Sequence, residues 1–336
     1  MSAPRRILVP GGTGFIGGAV ARALAEAGDD VVVLGRGGRP APPGTVLRTV
    51  DRNDAAAVAA ALGGERFDAT LDFSAYDRAA VEALLAAPFA PGRYLFASTG
   101  QVCLVGEAPR MPYVEEDSEH PIRPEPPRDS PEHPQWAYGA GKRGAEAAVA
   151  EARARGVATL VLRFPVVLGA GDTSLRTWAY VERLLDGGPL LLPDGGAELR
   201  RTLWVGDIVR AVRRVLDAWP VGPVYHLAQP AALPVRDMVE AVARAAGRPA
   251  TFVPVDDAAL DAAGLHRSDC SPYSGRWASH LDPSRAVREW GFEATPFADY
   301  IDGVVRALLQ APPAASHPGY EARERELALA RAARGG

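Results

Sequence analysis

The chain has 336 residues, 47% of them hydrophobic, and a formal net charge of −4 at neutral pH. That is enough for one large domain or two intimate ones with a sizeable core, and the negative balance disfavours a nucleic-acid partner. Two cysteines far apart, Cys103 and Cys270, make neither a disulfide framework nor a metal-ligand cluster, so no metal is expected.

The opening residues MSAPRRILVPGG lack the apolar core and cleavage site of a secretion signal. No run of about 18 apolar residues is present to span a membrane. The expectation is a soluble, cytoplasmic protein. From there the pattern alternates. RILVP (6–10) reads as a buried strand, and residues 14–27 as a helix with Val20 and Leu24 on one face and Gly28 as its stop. VVVLG (31–35) is a second strand and VLRTV (46–50) a third, followed by a helix over 53–62. ATLDFSA (69–75) and GRYLFAS (92–98) are strands on either side of a helix at 77–87. An Ala-rich helix over 138–155 leads into ATLVLRF (158–164). Continuous apolar strands alternating with helices predict an α/β fold, a Rossmann-type doubly wound parallel sheet covered on both faces.

After about residue 170 the rhythm loosens. RTLWVGDIVRAVRRVLDAW (201–219) reads as a short strand and an amphipathic helix, and GPVYHLA (222–228) as another strand; helices are predicted over 234–246, 284–290 and 297–310. The predicted division is a dinucleotide-binding domain of residues 1–170 plus about 201–230, and a smaller substrate-binding lobe of about 171–200 and 231–316. Residues 317–336 are a charged helical tail with no assigned function. Residues 107–135 hold eight prolines in 29 positions and read as a long irregular loop, either a lid or a mobile surface excursion.

The stretch PGGTGFIGG supplies Gly11, Gly14 and Gly17 at three-residue spacing, directly after a strand and opening a helix. Such a turn needs backbone angles that glycine tolerates. Bare Cα positions let a dinucleotide pyrophosphate reach the backbone of the turn, which includes Thr13, Phe15 and Ile16. The helix N-terminus then offers unpaired N–H groups and a positive dipole end. The end of the second strand reads the adenosine ribose, and there the chain has Gly35 and Arg36 in place of an acid. A guanidinium pairs bidentately with a 2′-phosphate, which favours NADP over NAD. Asp51, after the third strand, is placed either to accept from the adenine amino group or to cap its own turn. YGAGK puts Tyr138 and Lys142 four residues apart, on one helix face. That arrangement suits a tyrosine acid/base whose pKa a neighbouring ammonium lowers. His226, inside an apolar strand, reads as a core histidine. Trp136 and Trp204 fit a substrate cleft or ordinary packing.

With GGTGFIG, YLFASTGQVC, YGAGK, LRFPVVLGAGD, RRTLWVGDIVRAV and LDPSRAVREWGFEATPF in this order, almost the whole chain resembles the extended short-chain dehydrogenase/reductase superfamily, the NAD(P)-dependent epimerase/dehydratase family. The resemblance implies a hydroxyl at Thr99 that holds the reacting oxygen, with Ser98 beside it. It implies proton exchange by Tyr138 and a second role for Lys142 on the nicotinamide ribose. It puts Phe73, Ser74 and Ala75 on the adenosine side and Phe164, Pro165 and Val166 at the carboxamide end. Arg200, and more weakly Arg276, match an arginine that grips a nucleotide-sugar phosphate. Family members also often dimerise through the helices here at 77–87 and 142–155, which implies a homodimer.

The chain departs from the family pattern in four places. Gly100-Gln101 replaces the Asp-Glu of 4,6-dehydratases, and Gln101 replaces the glutamate of decarboxylases, so neither chemistry is expected and Gln101 is left as a substrate contact. Cys103 replaces a tyrosine and reads as a buried small hydrophobe rather than an extra acid/base. Trp204 replaces a histidine. Three functions follow. The first is redox-neutral epimerisation of a sugar or nucleotide sugar, and the second NADPH-dependent reduction of a ketone in a secondary metabolite. The third is a non-catalytic dinucleotide- or RNA-binding relative, prompted by GRGG after the second strand.

Overall fold

The computed structural model describes residues 3–107 and 110–335, and the chain divides into two compact units. The first comprises the chain through Pro165, Val205–Ala228 and Ser279–Glu293. Its elements are β1 (Arg6–Pro10), α1 (Phe15–Glu26), β2 (Asp30–Gly35), β3 (Val46–Thr49), α2 (Ala55–Leu62) and β4 (Ala69–Asp72). They continue with α3 (Arg78–Leu85), β5 (Arg93–Thr99), α4 (Gln101–Leu104), α5 (His133–Ala154) and β6 (Thr159–Phe164). The strand Val224–His226 completes a seven-stranded sheet in the order Val224–His226, β6, β5, β4, β1, β2, β3. Every pairing in it is parallel, so the Rossmann-type architecture expected from the alternation is the one observed. The order reverses between β1 and β4, and the carboxyl ends of strands at such a point open a ligand crevice.

The sheet forms because its strands carry apolar residues on both faces. Leu8, Val32, Tyr94, Phe96 and Val161 pack against Val81 and Leu84 of α3 and Ala145, Ala148 and Val149 of α5. Asp54 caps α2 by accepting from the Ala57 N–H at 3.0 Å, and Asp77 caps α3 by accepting from Ala80 at 2.9 Å. The helix α5 begins at His133, five residues ahead of the predicted start. Proline is tolerated in a first helical turn, so Pro134 opens this helix instead of ending a loop.

The proline-rich excursion is a pinned strap along its described length; Ala108 and Pro109 lie outside the described residues. The Glu107 N–H donates to Pro121 O at 2.9 Å and the Arg123 N–H to Val105 O at 2.9 Å. Tyr113 pairs with the chain at 280–282, and Glu115–Glu119 form a 3₁₀ turn. The helix Ser284–Trp290, expected in the smaller lobe, packs instead on the last sheet strand in the first unit. The Trp290 ring meets the Tyr225 ring edge-on at 5.8 Å, and the Tyr225 hydroxyl donates to Glu289 at 2.7 Å.

The second unit comprises Val166–Trp204, Gln229–Ala278 and the chain from Ala294. Helices Arg176–Leu185, Val235–Ala245 and Phe297–Gln310 bury Tyr180, Val181, Val239, Val242, Val304 and Val305 between them. Leu190–Pro193 and Phe252–Val255 pair in parallel beside them. The tail beyond residue 316 belongs to this unit. Glu326 on its helix is fully buried and accepts from Arg183 at 2.9 and 2.6 Å and from Arg323 at 2.8 Å. Among the described residues, no helix of the chain is long and apolar enough to cross a membrane.

Removing one partner of a buried ion pair strands the other charge away from water. Glu326→Gln is therefore expected to cost about 3–5 kcal/mol in urea unfolding of the full chain. A loss under about 0.5 kcal/mol, the range of ordinary surface substitutions, would show the tail to be dispensable.

Candidate active site

The glycine turn between β1 and α1 packs tightly on itself and on the end of β4. Gly11 has φ +79°, and a Cβ there would lie 2.8 Å from the Ser74 Cβ. A Cβ on Gly17 would lie 2.5 Å from the Gly11 carbonyl oxygen. Helix α1 starts from Gly14 with no side-chain cap, and the first N–H groups of a helix have no intrahelical acceptor. Half-buried Phe15 and Ile16 fill that first turn. The result is a cradle of backbone donors with no side chains in the way, and it fits the diphosphate of a dinucleotide.

On the adenosine side, Arg36 is exposed and carries no ion pair among the described residues. A Cβ on Gly35 would sit 3.1 Å from the Thr13 hydroxyl oxygen, a close approach that the Thr13 side chain would have to yield to. Asp51 Oδ1 accepts the Asn53 N–H at 3.0 Å, which makes the turn-capping role real. Sequence reasoning passed over Arg52. Its guanidinium donates to both carboxylate oxygens of Asp72, at 2.6 and 2.8 Å, to the Ser74 hydroxyl, and to Ala80 O at 2.8 Å. Asp72 is completely buried and also accepts from the Ser74 and Ala75 N–H groups and from the Tyr94 hydroxyl. Burial pushes the Asp72 carboxyl up, but Arg52 outweighs it and holds the group below the usual carboxylate range. The segment Phe73-Ser74-Ala75 is thus fixed by one buried ion pair. The available signal was an aspartate inside an apolar strand, which demands a cation.

Thr99 ends β5, while Tyr138 and Lys142 share a face of α5. The Lys142 side chain is only 4% exposed, and Nζ donates to Ala75 O at 2.7 Å and Ala97 O at 2.8 Å. Nζ also lies 4.6 Å from the Phe96 ring centroid and 5.5 Å from that of Tyr76. Burial pulls its pKa down to about 8, against the opposing pull of Asp72 and Glu146. The Tyr138 phenol is pushed above its ordinary value by burial, and the approach of the Thr99 hydroxyl only partly offsets this. The expectation that Lys142 lowers the phenol pKa is corrected: the ammonium is turned toward two carbonyls beneath the helix. Tyr76, unremarked in the sequence, is 63% exposed with its ring 6.0 Å from that of Tyr138.

Other candidates fare unevenly. The Ser98 hydroxyl donates to Glu146, so it is tied into the protein rather than offered to a substrate. Gln101 is buried; its amide donates to the Gln135 side-chain oxygen at 2.8 Å, and its own oxygen has no partner among the described residues. Phe164 is buried at the end of β6, its carbonyl accepting the Gly100 N–H at 2.9 Å; Pro165 follows it, and half-buried Val166 opens the second unit. Arg200 is neither a free phosphate grip nor a surface residue. It donates to Tyr273 O at 2.6 Å, Gly275 O at 2.9 Å, Leu199 O at 2.8 Å and to Glu198. Arg276 is exposed and paired with Asp257. Trp204 stacks on Tyr300 at 5.9 Å. His226 is fully buried, its Nδ1 3.1 Å from Tyr113 O and its Nε2 3.2 Å from Arg163. Burial drives it well below the ordinary imidazole value, so it stays neutral. Cys103 and Cys270 are buried free thiols, and burial pushes each up to about 12. Among the described residues no group of side chains is arranged to hold a metal.

A parallel sheet that reverses beside a glycine cradle, with a tyrosine and a lysine on the helix after β5, defines a Rossmann-type enzyme of the nicotinamide dinucleotide-dependent class. The chain belongs to the NAD dependent epimerase/dehydratase family, whose model matches residues 7–228. It is 31% identical over 286 residues to a 2′-dehydrokanamycin reductase of Streptomyces kanamyceticus, covering 82% of this chain and 76% of that one. In fold it is similar to UDP-glucose 4-epimerase of Thermotoga maritima, with a TM-score of 0.70, 19% identity, and 92% and 100% of the two chains covered. It is likewise similar to the dTDP-glucose 4,6-dehydratase DesIV of Streptomyces venezuelae, solved with NAD bound, with a TM-score of 0.68, 22% identity, and 91% and 97% covered.

The buried ammonium yields a direct expectation. In ¹³Cε-lysine NMR of the ligand-free protein, Lys142 should titrate near pH 8, about two units below an ordinary lysine. A midpoint above 10 would mean that Nζ is solvated rather than held by the two carbonyls.

Proposed function

We propose that this chain reduces a ketone carbon of a sugar-containing metabolite with NADPH, Tyr138 giving its proton to the carbonyl oxygen. The observation that carries this reading is the meeting of Thr99, Tyr138 and Lys142 within one unit, beside strand ends fit for a dinucleotide. The cofactor, when bound, supplies the hydride. Thr99 orients the substrate oxygen. Burial keeps the Tyr138 phenol protonated, the form a general acid needs. Lys142 has three N–H donors and uses two on Ala75 and Ala97, leaving one for the nicotinamide ribose. Gly11, Thr13, Gly14, Phe15, Ile16 and Gly17 hold the diphosphate. Arg36 pairs with the 2′-phosphate, supported by its exposure and by its having no ion pair among the described residues. Asp51, Phe73, Ser74 and Ala75 line the adenosine, and Phe164, Pro165 and Val166 the carboxamide.

Epimerisation, the first reading from the sequence alone, becomes the second. The relative at 31% identity carries the name of a reductase. Arg200 and Arg276, expected on a nucleotide-sugar phosphate, are engaged by carbonyls and by carboxylates, which favours a substrate without a diphosphate. Dehydration stays disfavoured: a Cβ at position 100 would lie 2.2 Å from the Ser279 hydroxyl oxygen, so an aspartate has no room there. We also infer a homodimer through α3 and α5; a monomer mass by light scattering at micromolar concentration would count against it.

Tyr138→Phe should lower ketone reduction about 10²- to 10⁴-fold, the usual worth of a positioned general acid, with NADPH affinity nearly unchanged. Full turnover in that variant would remove every reading with Tyr138 as acid. Mass spectrometry of small molecules released on denaturation separates reductase from epimerase. An empty protein that takes up NADPH supports the reductase, whereas stoichiometric retained NAD would restore the epimerase. Arg36→Ala should raise KM for NADPH roughly tenfold or more and leave KM for NADH unchanged, as loss of one charge-assisted contact implies.

A further inference from the structure

One carboxylate lies where the strand bearing Thr99, the helix bearing Tyr138 and Lys142, and the strap come together, and nothing above gives it a role. Glu146 sits one helical turn beyond Lys142 on α5. Its Oε1 accepts from the Ser98 hydroxyl and from Arg163 Nε at 2.9 Å, and its Oε2 accepts from Arg163 at 2.6 Å. Ser98 is the residue before Thr99 on β5. Arg163, on β6, has a side chain 3% exposed. The same guanidinium donates to Glu115 O at 2.8 Å and to the Ser118 hydroxyl at 2.7 Å, both in the strap. All of these groups lie in the first unit.

We propose that Glu146 is a positioning residue for the Thr99–Tyr138–Lys142 group, tying the strand end to the catalytic helix through Ser98 and Arg163 and placing a carboxylate one helical turn from Lys142. This rests on the reading of Thr99, Tyr138 and Lys142 given above. Lys142 faces few other charges. Asp72 from β4 supports its ammonium and Arg52, after β3, opposes it; from β5 and the β4–α3 loop it meets only the Phe96 and Tyr76 rings and two carbonyls. Glu146 itself is faced by Arg163 from β6 and, further off, by Arg143 of its own helix and Cys103 of α4. Arg163 engages both oxygens of Glu146, so the carboxylate is held in one orientation beside Ser98. A bidentate guanidinium gives that fixity where a lysine would not.

Two variants separate charge from contact. Glu146→Gln keeps an acceptor for Ser98 and removes the charge; Glu146→Asp keeps the charge and draws it back from Ser98. The readout is the Lys142 midpoint by ¹³Cε-lysine NMR, which needs neither cofactor nor substrate. Glu146→Gln should lower it by about one unit and Glu146→Asp should leave it within about half a unit of the parent. A purely structural Glu146 would lower the melting temperature of both variants and leave the midpoint in place, which overturns the proposal. If Glu146→Gln does not fold, Ser98→Ala removes the tie without touching a charge. It should reduce kcat roughly tenfold, the scale of a displaced reacting group, at unchanged Lys142 midpoint; unchanged kcat overturns the positioning role. If the midpoint moves in Glu146→Gln but the alkaline limb of turnover does not follow, Glu146 tunes Lys142 as proposed and it is the catalytic reading of Lys142 that fails.

Discussion

The first unit is organised around one ammonium buried beneath α5. Lys142 reaches the carbonyl after β4 and a carbonyl of β5 at once, so helix, strand and loop are joined at a single nitrogen. Burying a cation costs several kcal/mol unless acceptors and counter-charges compensate. Here two carbonyls, two aromatic faces and two carboxylates at longer range share that work. The compensation is incomplete, and the depressed pKa is its measure. A group in that balance responds to small changes in its surroundings.

Nearly all of the first unit was legible in the sequence, because its signals are local. Strand runs, helix stretches and the glycine spacing each follow from a few neighbouring residues. What stayed hidden was set at long range. Arg52 carries no signal of its own until β4 brings a buried aspartate beside it. Ser98 reads as the partner of Thr99 until Glu146, 48 residues on, takes its hydroxyl. The start of α5 was missed for a different reason: prolines were read as breakers, whereas Pro134 occupies a helical position that lacks an N–H partner in any case. The helix Ser284–Trp290 was misassigned because proximity in the sequence said nothing about the aromatic contact that anchors it.

The second unit shows the opposite bias. Arg200, matched by position to a phosphate-gripping arginine, is one of several arginines here with contacts inside the unit. Arg183, Arg200, Arg267 and Arg323 all bind carboxylates or carbonyls within the unit. The guanidinium, with five donors in a plane, can link several acceptors at once, and an arginine-rich composition is used here as internal cross-bracing. That is why a charge count alone gave no guide to which cations meet a ligand.

The strap between α4 and α5 is held largely through backbone atoms. Arg123 reaches Gly106 O, Arg163 reaches Glu115 O, Arg143 reaches Val102 O and His120 O, and the Trp136 indole reaches Arg123 O. Any residue can furnish a carbonyl oxygen, so these contacts fix the path of the chain without naming its residues, whereas buried Glu115 and Asp117 and the Ser118 hydroxyl are held by their side chains. The excursion from Pro124 to Pro131 can therefore accept sequence drift, or a grafted peptide or dye, with little disturbance to the sheet beneath it. In a lineage of such enzymes this is where diversity would accumulate without loss of the fold.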